Sequence, residues 1–166
     1  MNHVKKYKKY QLWLESHSIL MIFIASFLFA LIGLWIGMQQ SVWFDEAYSI
    51  MVANTSIGQL INLTAVDTHP PLYYIVLKLW ASIFGWSELA LRSLSVIASA
   101  SAVFVGLLLI RRLFDVRSAL ITIPFVMLAP FLLRYAFEIR MYAFASLICI
   151  SATFVLILAI ESKNKM

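Results

Sequence analysis

The chain has 166 residues, 63% of them hydrophobic and only 13% charged, with a mean hydropathy of +0.89. A soluble domain is roughly half apolar and about a quarter charged; here the excess gathers into long uninterrupted blocks, which excludes an ordinary soluble protein and predicts an integral membrane one. The net charge of +5 would suggest nucleic acid in a soluble protein, but the basic residues stand at the ends of apolar blocks, so no nucleic-acid partner is expected.

The first block, Ile19–Met38, is long enough to cross roughly 30 Å of hydrocarbon and too long for the apolar core of a signal peptide. No small-x-small cleavage site follows it, so it reads as an uncleaved anchor. The segment 39–92 reads as an outer loop built of short helices. Asp45 is expected to cap a helix running to about Ala53, and Ser56-Ile-Gly-Gln59 has the form of a capping box that opens a second. Thr68, ahead of Pro70 and Pro71, is placed to start a third.

That third segment, Pro71–Gly85, decides the topology. It is short for a span, and Tyr74, Lys78 and Ser82 share one helical face, whereas Leu72, Ile75, Leu79 and Ile83 lie elsewhere on the wheel. Trp80 and Trp86 suit the headgroup zone, so the segment reads as a helix lying in the interface. Three further spans follow: Ser93–Ile110, Ala119–Leu133 and Tyr142–Ile160. Pro124 and Pro130 predict a local kink in the middle one. The single cysteine, Cys149, lies in the last block, so no intramolecular disulfide can form. Asn54-Thr-Ser56 and Asn62-Leu-Thr64 match the glycosylation acceptor pattern, which matters only in a secretory pathway that uses it.

The fold class predicted is thus all-α integral membrane, a single domain with four transmembrane helices and short juxtamembrane helices in the first outer loop. With Pro71–Gly85 lying flat, nine of the 13 basic residues (Lys5, Lys6, Lys8, Lys9, Arg111, Arg112, Arg117, Lys163 and Lys165) fall on one side. The positive-inside rule makes that side cytoplasmic. The expected location is therefore the plasma (inner) membrane, multi-pass, with both termini cytoplasmic. Five of the eight acidic residues then collect on the outer face.

Three polar clusters share that face. Asp45-Glu46 is either a helix cap with a solvated neighbour, or a pair in which a partly desolvated carboxylate acts as general base toward a hydroxyl. Asp67 and His69 are either surface hydrogen-bonding groups or two ligands of a divalent cation. In Arg134-Tyr-Ala-Phe-Glu138-Ile-Arg140-Met-Tyr142 the arginines are either anchors with Glu138 as counter-ion, or Arg140 grips a phosphate bidentately. Lys78 is expected to add a second positive charge at that depth. Phosphate-cradling glycine loops, the dinucleotide fingerprint, paired-cysteine metal sites and the G-x-S-x-G elbow are all absent from the sequence, so a nucleotide-dependent reaction is unsupported.

In order, WFDEAYS, D-x-HPPLYY, W-S-E-L-A-L-R-S-L-S, RRLF and E-x-R-M-Y-A resemble the N-terminal half of the polyprenyl-phosphate-sugar-dependent glycosyltransferases of the GT-C superfamily, such as protein O-mannosyltransferases and aminoarabinose transferases. The likeness runs from about Trp43 to Ala143. It implies an inverting transfer from a polyprenyl-phosphate-linked sugar to an acceptor hydroxyl at the outer membrane face. Asp45 would be the general base, Glu46 its support, and Glu138 and Arg140 would face the donor head group; Lys78 and Tyr142 are expected beside them at the lipid phosphate. His69, with Asp67, would contact a metal or the phosphate. Relatives are several times longer, so the resemblance also implies partner helices or a subunit that supplies a C-terminal half. Two other readings stand beside the enzyme. One is a non-catalytic polyprenyl-phosphate-binding or assembly subunit, or a truncated fragment. The other is half of a lipid-linked-sugar flippase or small transporter, against which the scarcity of polar residues deep in the spans counts.

Overall fold

The computed structural model describes residues 2–67 and 69–163; Thr68, expected to open the interfacial helix, and Lys165 lie outside the described residues. Helix makes up 84% of the chain, and no strand occurs among the described residues. The helices are α1 (Asn2–Gly37), α2 (Phe44–Asn54), α3 (Ile57–Val66), α4 (Leu72–Phe84), α5 (Glu88–Leu113), α6 (Val116–Met127), α7 (Pro130–Ala136) and α8 (Tyr142–Lys163).

Three helices are long and apolar enough to span a bilayer: Tyr10–Gly37 within α1, then α5 and α8. α6 and α7 are long and apolar enough only together, as a span broken between them or a re-entrant loop. The local kink expected in that span is in fact a break, with the two helix axes at 71°. Pro130 explains it. A proline disfavours helical geometry at the residue before it, and Ala129 is extended (φ −75°, ψ 106°), so the chain restarts as a new helix with Pro130 in its first turn.

Contacts at both ends fix the directions of the crossings. Ile22, Leu107 and Ala119 form one buried cluster, and Arg92, near the start of α5, bonds carbonyls at the end of α1, so α1 and α5 are antiparallel. Arg112 and Glu161 are ion-paired, which brings the C-terminal ends of α5 and α8 together. Arg111, Arg112, Arg117 and Lys163 therefore sit at one end of the bundle, and α2, α3, α4, α7 and the 137–141 turn crowd the other. α5 is central, packing against α1, α4, α6, α7 and α8. Large apolar side chains such as Phe23, Phe27, Phe125, Val155 and Leu156 point outward, as a hydrocarbon surrounding requires.

At the crowded end, Val52, Leu60, Tyr74, Leu77, Leu91 and Ile139 share a second core cluster. α4 buries Tyr73, Tyr74, Leu77 and Ala81 in the protein and leaves Leu72, Leu79, Ile83 and Phe84 exposed. Its polar face turns partly inward, because Tyr74 is buried and Lys78 reaches α2. Trp80 is anchored, its indole donating to the Ala90 carbonyl at 2.8 Å and the Ser93 hydroxyl at 3.2 Å. The helix ends at Gly85, whose φ of +91° only glycine adopts without strain. The capping box at Ser56 forms as expected: the Gln59 amide donates to the Ser56 hydroxyl at 3.4 Å, and the Ser56 amide to the Gln59 side chain at 3.3 Å.

Candidate functional site

The crowded end of the bundle is organised around Glu46. The expected cap, Asp45, does not cap α2. The N-cap is Trp43, which places Asp45 inside the first turn, and the carboxylate that reaches back is that of Glu46, accepting from the Trp43 amide at 3.3 Å. Both acids favour this helix end electrostatically, but only Glu46 faces inward. It also accepts from Arg92 Nη2 at 3.2 Å and from the Ile139 amide at 3.0 Å. Its side chain and that of Arg92 are each 1% exposed. A buried carboxylate needs such a cation and such donors.

Arg92, which the sequence analysis did not single out, is the cation at the centre of this end of the bundle. Its Nη1 donates to the Gly37 carbonyl and, at 2.7 Å, to that of Gln40, capping the end of α1. Its guanidinium lies over the Phe137 ring, 5.7 Å from the centroid. The available signal was an ionisable residue inside an apolar helix, which by default marks a buried partner.

The 137–141 turn carries Glu138 and Arg140 back to α2. Glu138 is 2% exposed; one oxygen pairs with Arg134 Nη2 at 3.1 Å and the other has no hydrogen-bond partner. Burial pushes its carboxyl pKa up, with Arg134 opposing and Glu46 reinforcing the rise. Arg134 is steadied by the Gln40 side chain at 2.8 Å. Arg140, only 6% exposed, is held loosely: Nη1 is 3.4 Å from the Asp45 carbonyl, and Nη2 is 3.7 Å from Asp45 Oδ2 and 3.5 Å from His69 Nε2. Its Nε has no partner. The Asp45 carboxylate is about one-third exposed, at 36%.

His69 Nδ1 lies 3.0 Å from Asp67 Oδ2. A carboxylate there holds the proton on Nδ1 and leaves Nε2 to accept from Arg140. Asp67 also bonds the Tyr48 hydroxyl, whose pKa is raised by burial and by that carboxylate. Asp45, Asp67, His69 and Arg140, from three separate stretches of sequence, thus meet in one place. Tyr142 borders them, its ring 5.9 Å below the Arg140 guanidinium, and it also lines an apolar cavity of about 470 Å³ that runs between the spans past Phe131 and Val103 to Ile110. Lys78 does not join them. Its ammonium donates to the carbonyls of Ala53 and Thr55 at 3.2 and 2.8 Å, at the far end of α2, about 15 Å along the helix from Asp45.

Asp67 and His69 supply two donors for a cation, and no group of three or more His, Cys, Asp or Glu able to hold an ion occurs among the described residues. With Arg140 facing the free imidazole nitrogen, the pair does not by itself fit a divalent metal, and no chemical step below is routed through one.

Fold and site together define a multi-pass membrane protein with a polar, carboxylate- and guanidinium-bearing cleft at one end of an apolar bundle. Residues 68–166 match the family described as dolichyl-phosphate-mannose-protein mannosyltransferase. This chain belongs to that family, which is of the GT-C glycosyltransferase type. The matched stretch contains His69, Lys78, Arg92, Glu138, Arg140 and Tyr142, whereas Asp45, Glu46 and Asp67 precede it. No match was found among curated proteins or among solved structures.

Proposed function

We propose that this chain provides the acid-bearing half of a glycosyltransferase site that moves a sugar from a polyprenyl-phosphate-linked donor to an acceptor hydroxyl, with inversion. In this reading Asp45 takes the proton of the acceptor hydroxyl as its oxygen attacks the anomeric carbon. The bond from that carbon to the phosphate oxygen breaks, and the electron pair leaves with the polyprenyl phosphate. Arg140 meets the charge growing on the departing oxygen, where a preoriented cation is worth most. Glu46 holds Asp45 and the 137–141 turn at a fixed separation, as proximity catalysis requires. Tyr142 and the apolar cavity below it suit the lipid part of the donor, and Glu138 lies beside its head group. The proposed setting is the inner membrane, with both termini cytoplasmic and the cleft on the outer face.

The observation that carries this reading is the Asp45–Arg140 pair: a carboxylate about one-third exposed, 3.7 Å from a buried guanidinium whose Nε has no partner. Contacts this long leave Arg140 with donors to spare for a phosphate. The test uses membranes or nanodiscs holding the full chain and a radiolabelled polyprenyl-phosphate mannose. Asp45→Asn should abolish transfer while the binding of polyprenyl monophosphate survives, and Arg140→Ala should lose both. Undiminished transfer by Asp45→Asn would refute the base assignment. The family match begins after Asp45, which favours a second reading, a polyprenyl-phosphate-binding subunit without turnover. That reading requires a wild type that binds the lipid and transfers nothing.

A further inference from the structure

We infer that Arg92 is a positioning residue of the site: it holds the Glu46 carboxylate in place, and Glu46 ties the turn bearing Arg140 to the helix bearing Asp45.

Beyond the apolar core that Ile139 shares with Val52 and Ala53 of α2, these parts have few polar ties. Arg140 touches α2 only through contacts of 3.4 and 3.7 Å, too long to hold it. The Ile139 amide, one residue earlier, makes a 3.0 Å bond to Glu46 Oε1. Glu46 spends its other oxygen on the Trp43 amide and Arg92. One carboxylate therefore closes the first turn of α2 and fixes the turn before α8. In a site this dry a carboxylate is stabilised only by such a cation and such donors. The other charged or titratable groups facing it are Asp45 on its own helix, Glu138 and Arg140 from the 137–141 turn, Arg134 behind Glu138, Tyr73 from α4, and Glu88 beyond Arg92. Arg140 and Arg134 are engaged by the other acids, so Arg92 is the cation that balances Glu46. Its further bonds to the Gly37 and Gln40 carbonyls hold it in place for that task.

Removing the guanidinium with Arg92→Met leaves the buried carboxylate without its cation, so Glu46 should turn away toward water. The Ile139 bond then weakens and Arg140 drifts from Asp45. Amide exchange of the 137–141 segment, read by mass spectrometry on the full chain in nanodiscs, reports that bond directly. At neutral pH Arg92→Met should exchange there about tenfold faster than wild type. Arg92→Lys keeps the charge and should exchange there nearly as slowly as wild type. The neutral pair Arg92→Met/Glu46→Gln should restore protection, because a glutamine stays in the dry site without a cation and its oxygen still accepts from Ile139. Protection in Arg92→Met equal to wild type overturns the inference. So does a double variant that exchanges as fast as the single one, or fails to fold with it, since shape rather than charge would then hold the clamp. What Arg92 does for transfer rests on the donor reading above, but the exchange readout does not: a wild type that binds no polyprenyl monophosphate would sink that reading and leave the clamp standing.

Discussion

Replacing Gly37 by alanine should destabilise the protein, although alanine is the better helix former. A Cβ at Gly37 would lie 2.9 Å from Phe137 Cβ, 3.0 Å from its Cγ and 3.2 Å from its Cδ2. Carbon atoms in contact favour about 3.5–4.0 Å, so the ring or the helix must move. The ring has nowhere to go: Phe137 is fully buried, with the Arg92 and Arg134 guanidinium groups 5.7 and 5.8 Å from its centre. Overpacking of this kind costs about 1–3 kcal/mol, against a helix-propensity gain of about 0.5–1 kcal/mol. The net loss is thus about 1–2 kcal/mol. Gly106 supplies the internal control, because a Cβ there meets nothing within 4 Å; Gly106→Ala should be neutral or gain about 0.5 kcal/mol. Denaturation of both variants in mixed detergent micelles, followed by helical circular dichroism, measures the difference. If Gly37→Ala matches Gly106→Ala in stability, the close approach of α1 to Phe137 is wrong, and with it the seating of the turn that carries Arg140.

Lys78→Met keeps the aliphatic stem but strips the charge-assisted bonds to the Ala53 and Thr55 carbonyls; it should cost about 1–2 kcal/mol of stability and leave polyprenyl monophosphate binding intact. Binding lost to the same extent as in Arg140→Ala would return Lys78 to the donor site. Ser56→Ala removes the cap of α3 and should lower stability by about 1 kcal/mol, read in the same denaturation assay. Glu138 makes the pH prediction. Its carboxyl pKa is raised above the ordinary 4.5 by burial, so the folded state binds this proton more tightly than the unfolded chain does. Stability from this group is full below the ordinary value, falls as pH rises through the raised one, and then levels off. Glu138→Gln should remove that fall, and parallel stability–pH curves for variant and wild type would refute it.

The long apolar runs made α1, α5 and α8 legible from composition, since span length and hydropathy need no tertiary context. α4 came within a residue of its expected limits at each end, bounded by Pro71 and Gly85. The capping box at Ser56 was equally local. What could not be read was partnership across distance. Asp45 and Glu46 look alike in sequence, and which one turns inward depends on Arg92, 46 residues away. Lys78 looked available to a phosphate until the end of α2 folded over it, through bonds spanning 23 and 25 residues. The break at Ala129 needed only the rule about residues before proline, which a count of apolar residues across Pro130 concealed.

The Glu46–Arg92 clamp also bears on how the chain is made. A ribosome delivers Glu46 well before Arg92, so until α5 emerges the nascent carboxylate must stay hydrated and the carbonyls of Gly37 and Gln40 must bond water. The first span and the short helices after it can therefore be inserted and formed early, yet cannot dock. Final assembly of this end of the molecule waits for the second long span to bring its guanidinium, and again for Ile139 to thread in beside it.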